Sequence, residues 1–420
     1  MERIIVHSDI NHCYAQLEEM MNPAYRNVPM AVGGSVEKRN GIILAKNDLA
    51  KASGVKTGEA LHQAKKKCPG LIIVHPQYEK YIYYTEKIKD VYRKYTDRVE
   101  SFGLDEAWID LSGSQMLFGD GVDLARKIQD EVYERYGITV SMGVSFNKVF
   151  AKLASDIFKH KGFIVITEEN YREMLWPRQV EDLLMVGSRT QKKLNQMGIF
   201  TIGQLAEYDC SKLRRRFGVM GALLWQYANG LDRSQVHLVG YERPVKSVGN
   251  SKTVVKDIVS MGQLEEVFRV LSESIAVRLR DQSLKGREVS IWLRFIDLRG
   301  VGLQKKLDQP TDLACDILKA AMELTYKAGL EEVKLRSVGI NVSQLSVHNH
   351  SDQLSLFEEP DFRTDQRAVE DVMAKIRMRY GYNSCRMASA RVDAEITDFD
   401  PLGTLHQVHP VGVLEGAIRL

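Results

Sequence analysis

Apolar residues recur along this chain in two rhythms, alternation by two and spacing by three or four, and changes of rhythm mark out its elements. The β-branched run Arg3-Ile4-Ile5-Val6-His7 predicts a short strand ending at Ser8-Asp9. Ala15 to Met21 predicts a helix that Asn22-Pro23 stops. Pro29–Gly34 and Gly41–Ala45 predict two strands around a polar turn, followed by short helices over Lys46–Ala52 and Glu59–Lys67. Leu71–Val74 predicts a strand closed by His75-Pro76, and Tyr78–Tyr95 a long amphipathic helix. Between Val99 and Leu111, two apolar segments flank Asp105-Glu106, the pattern of a hairpin with acidic residues at its apex. A helix over Val122–Tyr136, a strand over Thr139–Val144 and a helix over Lys148–Phe158 follow. Intermixed strands and helices with several antiparallel pairings predict an α+β fold over a doubly wound sheet.

From Val180 to Asn229 the pattern is helical throughout, broken at Gly187, Gly198, Gly203, Gly218 and Gly230. Leu231 to Pro244 is polar and irregular, as a linker would be. Beyond it, Val289, Ile291, Leu293 and Phe295 alternate with other residues, as do Val338, Ile340 and Val342. Helices over Leu264–Asp281 and Thr311–Ala328 complete a second, smaller α+β unit. The run His348-Asn349-His350-Ser351-Asp352 is polar, and no internal repeat of useful length is visible.

A chain of 420 residues, 44% hydrophobic and 27% charged, holds two to four domains, each able to bury a core. Collagen, a disordered chain and a disulfide scaffold are excluded by this composition. No uncharged apolar run approaches the roughly 18 residues that span a bilayer. The N-terminal stretch meets acidic and polar residues too early for a secretory signal. Five scattered cysteines without a CxxC pair suggest neither zinc nor disulfides, which suits a reducing cytoplasm. The net charge of +3 is unevenly spread: +4 over residues 1–240, +3 over 241–345 and −4 over 346–420. A mildly basic body with an acidic tail permits a polyanionic partner, and balanced globular proteins also look like this.

The sharpest constellation is a lone carboxylate, Asp9, at the end of the first strand, with the adjacent pair Asp105-Glu106 about a hundred residues later. Carboxylates at strand ends can converge on one pocket, and hard oxygen ligands suit Mg²⁺. Two such ions can activate an attacking oxygen and stabilise a leaving phosphate. Alternatively, Asp9 caps the following helix and the pair merely occupies a turn.

Three segments decide between these readings. They are Ser8-Asp9-Ile10-Asn11-His12-Cys13-Tyr14-Ala15, Ser101-Phe102-Gly103-Leu104-Asp105-Glu106-Ala107-Trp108-Ile109-Asp110 and Gly143 to Asp156 (GVSFNKVFAKLASD). In order and spacing the chain resembles the Y-family translesion DNA polymerases over roughly residues 1–345, most strongly before 165. The resemblance implies a right-hand architecture. A palm and small fingers would span 1–178, an all-helical helix-hairpin-helix thumb 179–232, a linker 233–244, an α+β little finger 245–346, and a tail 347–420. It also implies an error-prone, template-directed polymerase that adds deoxynucleotides to a primer, bypasses damaged bases and lacks proofreading.

Site roles follow from the same resemblance. Asp9, Asp105, Glu106 and the backbone carbonyl of Ile10 would bind two Mg²⁺ ions, with Glu106 nearest the primer 3′-hydroxyl. Tyr14 matches the steric gate, whose ring collides with a ribose 2′-hydroxyl. Asn47, Lys51 and Lys159 would contact the triphosphate. The polymerase IV branch reads Asn-Tyr-x-Ala-Arg where this chain has Asn47-Asp48-Leu49-Ala50-Lys51, giving up a bidentate phosphate contact. With Asn11 in place of Asp, these departures lean toward the polymerase V-like branch.

Leu184 to Thr190 resembles a helix-hairpin-helix turn in which Gly187 and the following Lys192 and Lys193 would grip a phosphate, with Arg189 in place of the usual second glycine. Lys246 and Lys252 of the little finger would track the DNA backbone. Gln353, Leu354, Leu356 and Phe357 resemble the bacterial pentapeptide that docks on the replicative sliding clamp, its β subunit. The expected partners are therefore primer–template DNA, deoxynucleoside triphosphates and the clamp, for a cytoplasmic monomer with no membrane partner. Two rivals stay open: a clamp-tethered DNA-binding factor whose catalysis has decayed, and a palm-fold nucleotidyl cyclase.

Overall fold

The computed structural model describes residues 3–34, 41–157, 159, 162–329, 333–347, 360–387 and 394–397. They divide into two compact units, one drawn chiefly from Met1–Gly33 and Ile42–Glu242, the other from Arg243–Thr404.

In the first unit, β1 (Ile5–Ile10), β5 (Val99–Phe102), β6 (Glu106–Asp110), β7 (Val140–Ser145) and β8 (Phe163–Ile166) form a sheet ordered β5-β6-β1-β7-β8. A small sheet ordered β3-β2-β4 comprises β2 (Met30–Gly33), β3 (Ile43–Lys46) and β4 (Ile72–Val74). The expected mixture holds: most pairings are antiparallel, while β2–β4 and β7–β8 are parallel. The first strand runs further than its apolar run suggests. Antiparallel neighbours on both sides carry β1 through to Ile10, so Asp9 lies within a central strand.

The helices of this unit are α1 (Cys13–Met21), α2 (Asp48–Ala52), α3 (Leu61–Lys67), α4 (Tyr78–Arg93), α5 (Gln115–Phe118), α6 (Gly121–Tyr136), α7 (Lys148–Ile157) and α8 (Tyr171–Leu175). Strand alternation sends successive side chains to opposite faces of the main sheet. Ile5 and Trp108 join a core with Val149 and Phe150 of α7, whereas Val6, Ala107 and Ile109 join one with Ile88, Val91 and Ile128 of α4 and α6. Gly143 makes the α7 face possible, because a Cβ there would stand 2.1 Å from the Ala151 carbonyl oxygen. Both α5 and β8 escaped the sequence pattern, which is too short in each to show a period.

Four short helices follow: α9 (Ser188–Asn195), α10 (Ile202–Glu207), α11 (Cys210–Phe217) and α12 (Val219–Ala228). Their apolar faces (Leu194, Leu205, Leu213, Leu224) belong to the same core as Val149 and Phe150. Thr201 and Gln204 form a capping box at α10, and Asp209 caps α11. Residues 231–242 form no helix or strand, yet Val236 is fully buried. The His237 backbone N–H donates to Glu100 Oε2 at 3.1 Å, and the same oxygen lies 2.6 Å from Lys148 Nζ.

The second unit is an antiparallel sheet ordered β11-β10-β12-β9, from β9 (Ser247–Ile258), β10 (Leu284–Phe295), β11 (Gly300–Thr311) and β12 (Leu335–Val347). Val289, Ile291 and Leu293 face its core while Trp292 is exposed, the one-sided burial their alternation predicts. The outer strands β9 and β11 were not expected. Edge strands carry charge, here Lys252 and Lys256 on one and Lys305 and Lys306 on the other, and charge dilutes the apolar signal. Helices α13 (Met261–Asp281) and α14 (Ala314–Lys327) fill the core side of this sheet. A further helix, α15 (Pro360–Tyr380), buries Met373 and Ala374. It is held by ion pairs Arg280–Glu370 at 2.8 Å and Arg377–Glu273 at 2.9 Å.

Candidate active site

The site grows from one rung of the main sheet. Asp9 on β1 is the register partner of Glu106, the first residue of β6, so the two side chains leave the same face side by side. Asp105 occupies the turn before β6, which Gly103 closes at a positive φ of 82°. The Ile10 N–H donates to the Asp105 carbonyl at 3.1 Å and pins this turn to β1. Asp9, Ile10, Asp105 and Glu106, with His12, Tyr14, Lys46, Thr57 and Lys159, line an open cavity of about 420 Å³.

Two lysines reach the carboxylates. Lys159 Nζ stands 2.6 Å from Asp9 Oδ2, and Lys152 Nζ stands 2.6 Å from Glu106 Oε2. The fully buried His7 places Nε2 3.3 Å from the same Glu106 oxygen, while its Nδ1 lies 2.8 Å from Ser155 Oγ. The electrostatics are accordingly split. Burial and the charges of Asp9 and Glu106 push Asp105 up to about 6. Burial also raises Asp9, although Lys159 opposes it. Burial alone would raise Glu106, but His7 and Lys152 beside it pull it down to about 2.

Among the described residues, no three His, Cys, Asp or Glu side chains stand in ready-made metal geometry. The donor set nevertheless fits a hard divalent cation. Three carboxylates share one cavity, and burial with the charges of Asp9 and Glu106 raises Asp105, a cost that such a cation would relieve.

Tyr14 stacks on Tyr81 with ring centroids 4.7 Å apart and meets Tyr78 edge-on at 5.8 Å, so its ring is braced at the cavity wall. Asn47 is buried and absent from the cavity lining, and its amide is engaged by neighbouring backbone and by Glu19. Its Oδ1 accepts from Met30 and Ala50 N–H at 3.0 Å each, and its Nδ2 donates to the Val28 carbonyl at 2.8 Å. Lys51 is exposed on α2 and does not line the cavity either. A lysine that does line it is Lys46, whose Nζ donates to Thr57 Oγ1 at 3.0 Å.

Lys152, His7, His12 and Lys46 were not found from sequence. Lys152 left a signal: it stands four residues after Lys148 on a helix otherwise rich in apolar residues, and buried lysines require carboxylate partners. His12 adopts a left-handed conformation (φ 47°) and meets Asp48 Oδ1 at 3.0 Å, giving Asp48 a partner. Further along the unit, Gly187 is the N-cap of α9, and Lys192 and Lys193 are exposed in its last turn. In the second unit, Lys246 is exposed and Lys252 is partly buried on β9. The segment Gln353, Leu354, Leu356 and Phe357 lies outside the described residues.

The sequence profile of the impB/mucB/samB family matches residues 8–156, and that of its C-terminal domain matches 245–356. A profile described as the DNA polymerase-iota thumb domain matches 181–232. DNA polymerase IV of Acetivibrio thermocellus is 42% identical over 386 residues, covering 92% of this chain and 97% of that protein. The chain belongs to the Y family of DNA polymerases. It is a DNA-directed DNA polymerase of the translesion type, acting on DNA and nucleotides, in a family that depends on divalent metal. DNA polymerase IV 2 of Bacillus subtilis is 34% identical over 387 residues, covering 90% of this chain and 92% of that protein. The solved structure of a Y-family DNA polymerase chimera shares the fold, with a TM-score of 0.70 at 22% identity over 82% of this chain and 99% of that one. Against the lean toward the polymerase V-like branch expected from Asn11, Asp48 and Lys51, these curated relatives carry the polymerase IV name. Among the described residues, no helix is long and apolar enough to cross a membrane.

Proposed function

We propose that Asp9, Asp105, Glu106 and the carbonyl of Ile10 hold two Mg²⁺ ions for nucleotide addition, and that the triphosphate is received by Lys159. The observation that carries this reading is the pairing of Asp9 with Glu106 on one rung, beside Asp105, in a cavity shared with Tyr14 and Lys159. Bound magnesium supplies charge neutralisation at the phosphates and lowers the cost of ionising the attacking hydroxyl. The protein's own part is positional. His7 and Lys152 hold Oε2 of Glu106 and keep that carboxylate ionised. Tyr14, braced by Tyr81 and Tyr78, sets a wall against the sugar C2′ and acts as the steric gate.

The domain boundaries proposed are palm and fingers over 1–178, thumb over 179–232, linker over 233–244, little finger over 245–346 and tail from 347. Gly187, Lys192, Lys193, Lys246 and Lys252 grip the DNA backbone, independent of sequence. Residues 353–357 dock on the sliding clamp, and the protein acts as a cytoplasmic monomer. Primer extension with Mg²⁺ tests the metal assignment. Asp9→Ala and Glu106→Ala should each lose nucleotide addition by at least about a thousandfold while retaining primer–template affinity. A folded Glu106→Ala variant that extended primers at near-normal rate would overturn it.

A further inference from the structure

Lys159 and Lys152 make the same 2.6 Å contact with a cavity carboxylate, but their surroundings differ. The Lys152 side chain is 10% exposed and also meets Asp156 Oδ2 at 3.3 Å. Its ammonium lies over the Phe102 ring at 5.4 Å. The Lys159 side chain is 49% exposed, although the Asp9 it neutralises is 5% exposed. One lysine is therefore built into the wall, and the other reaches in from solvent. A buried ammonium that let go of its partners would be stranded, whereas a half-exposed one is received by water.

An ammonium at 2.6 Å and a divalent cation compete for the same carboxylate oxygen. We propose that Lys159 is an exchangeable counter-ion, neutralising Asp9 while no metal is bound and releasing it when metal arrives, so that its freed ammonium serves the triphosphate. This inference rests on the metal-site reading of Asp9. Its consequence is coupling. Metal must displace Lys159, and a nucleotide benefits from a displaced Lys159, so each ligand binds more tightly in the presence of the other. Lys152 takes no part in the exchange and stays on Glu106.

Two measurements on the full-length chain without DNA test this. In electron paramagnetic resonance titrations with Mn²⁺ alone, Lys159→Gln should bind the ion about threefold to tenfold more tightly than wild type, because the competing charge is gone. Lys159→Arg, which keeps the charge, should stay near wild type. In NMR spectra of isotope-labelled lysine side chains, adding Mg²⁺ should move the Lys159 signal toward that of a solvated lysine and leave Lys152 in place. Unchanged or weaker Mn²⁺ binding by Lys159→Gln, or a Lys159 signal that stays held at saturating Mg²⁺, would overturn the exchange. The Asp9→Asn variant separates the two levels: loss of Mn²⁺ affinity upholds the site. Wild-type affinity in that variant would remove the metal site and the exchange with it.

Discussion

Asp9 and Glu106 are partners on one antiparallel rung, yet each ends on its own lysine, Lys159 for one and Lys152 for the other. Glu106, with His7 in addition, is held ionised well below the usual carboxylate range. Between them Asp105 pairs with no lysine among the described residues and carries the repulsion of both. The asymmetry yields a site that is strained without metal in one identifiable residue.

That strain has a pH signature. Asp105 has its folded-state value raised from 3.8 to about 6, so the folded protein binds more protons than the unfolded one between those values. Stability is therefore lost as pH rises through this window, with a penalty of about 2–3 kcal/mol once Asp105 is ionised. In metal-free protein near pH 7.5, Asp105→Asn should raise the melting temperature by a few degrees, and the gain should fade below about pH 4. A melting difference that does not vary with pH would show that Asp105 is not the strained group.

Sugar choice should depend on the Tyr14 ring. Stacked on Tyr81, it has little freedom to move aside for a 2′-hydroxyl. Replacement by Ala should raise ribonucleotide relative to deoxyribonucleotide incorporation by at least about tenfold, roughly 1.4 kcal/mol of discrimination. Parallel single-nucleotide insertion assays read this directly, and an unchanged ratio would assign the gate elsewhere.

Asn47 should behave as a structural residue. Its amide caps α2 and ties that helix to Met30 and Val28, so truncation leaves buried backbone groups unpaired. Asn47→Ala should cost about 2 kcal/mol of stability. Denaturant unfolding measures it, and unaltered stability with a raised nucleotide KM would restore the triphosphate role.

The clamp peptide is testable independently of the active site. Replacing Gln353, Leu356 and Phe357 with Ala removes two large apolar anchors, each worth roughly 1.5–3 kcal/mol when buried. Distributive synthesis should survive while stimulation by a loaded clamp disappears, since tethering acts by effective concentration. Full stimulation in the triple variant would exclude this segment as the tether.

Legible in the chain alone were the α+β class, the spans of most helices and central strands, and the three carboxylates that the fold gathers into one cavity. Those features are local or periodic: β10 alternates, α4 and α6 repeat every three to four residues, and Asp105-Glu106 stand between two apolar runs. Other features depend on residues distant in the chain and came only with the fold. Asp9 became a mid-strand residue because β6 and β7 pair with β1 on both sides. Asn47 turns its amide oxygen to the backbone of Met30 on β2 and Ala50 on α2, contacts that only the fold supplies. Lys152 and His7 were invisible as site residues because a lysine on a helix and a histidine on a strand acquire their meaning only from the carboxylate the fold brings to them. That carboxylate is Glu106, 46 residues away in the chain from Lys152.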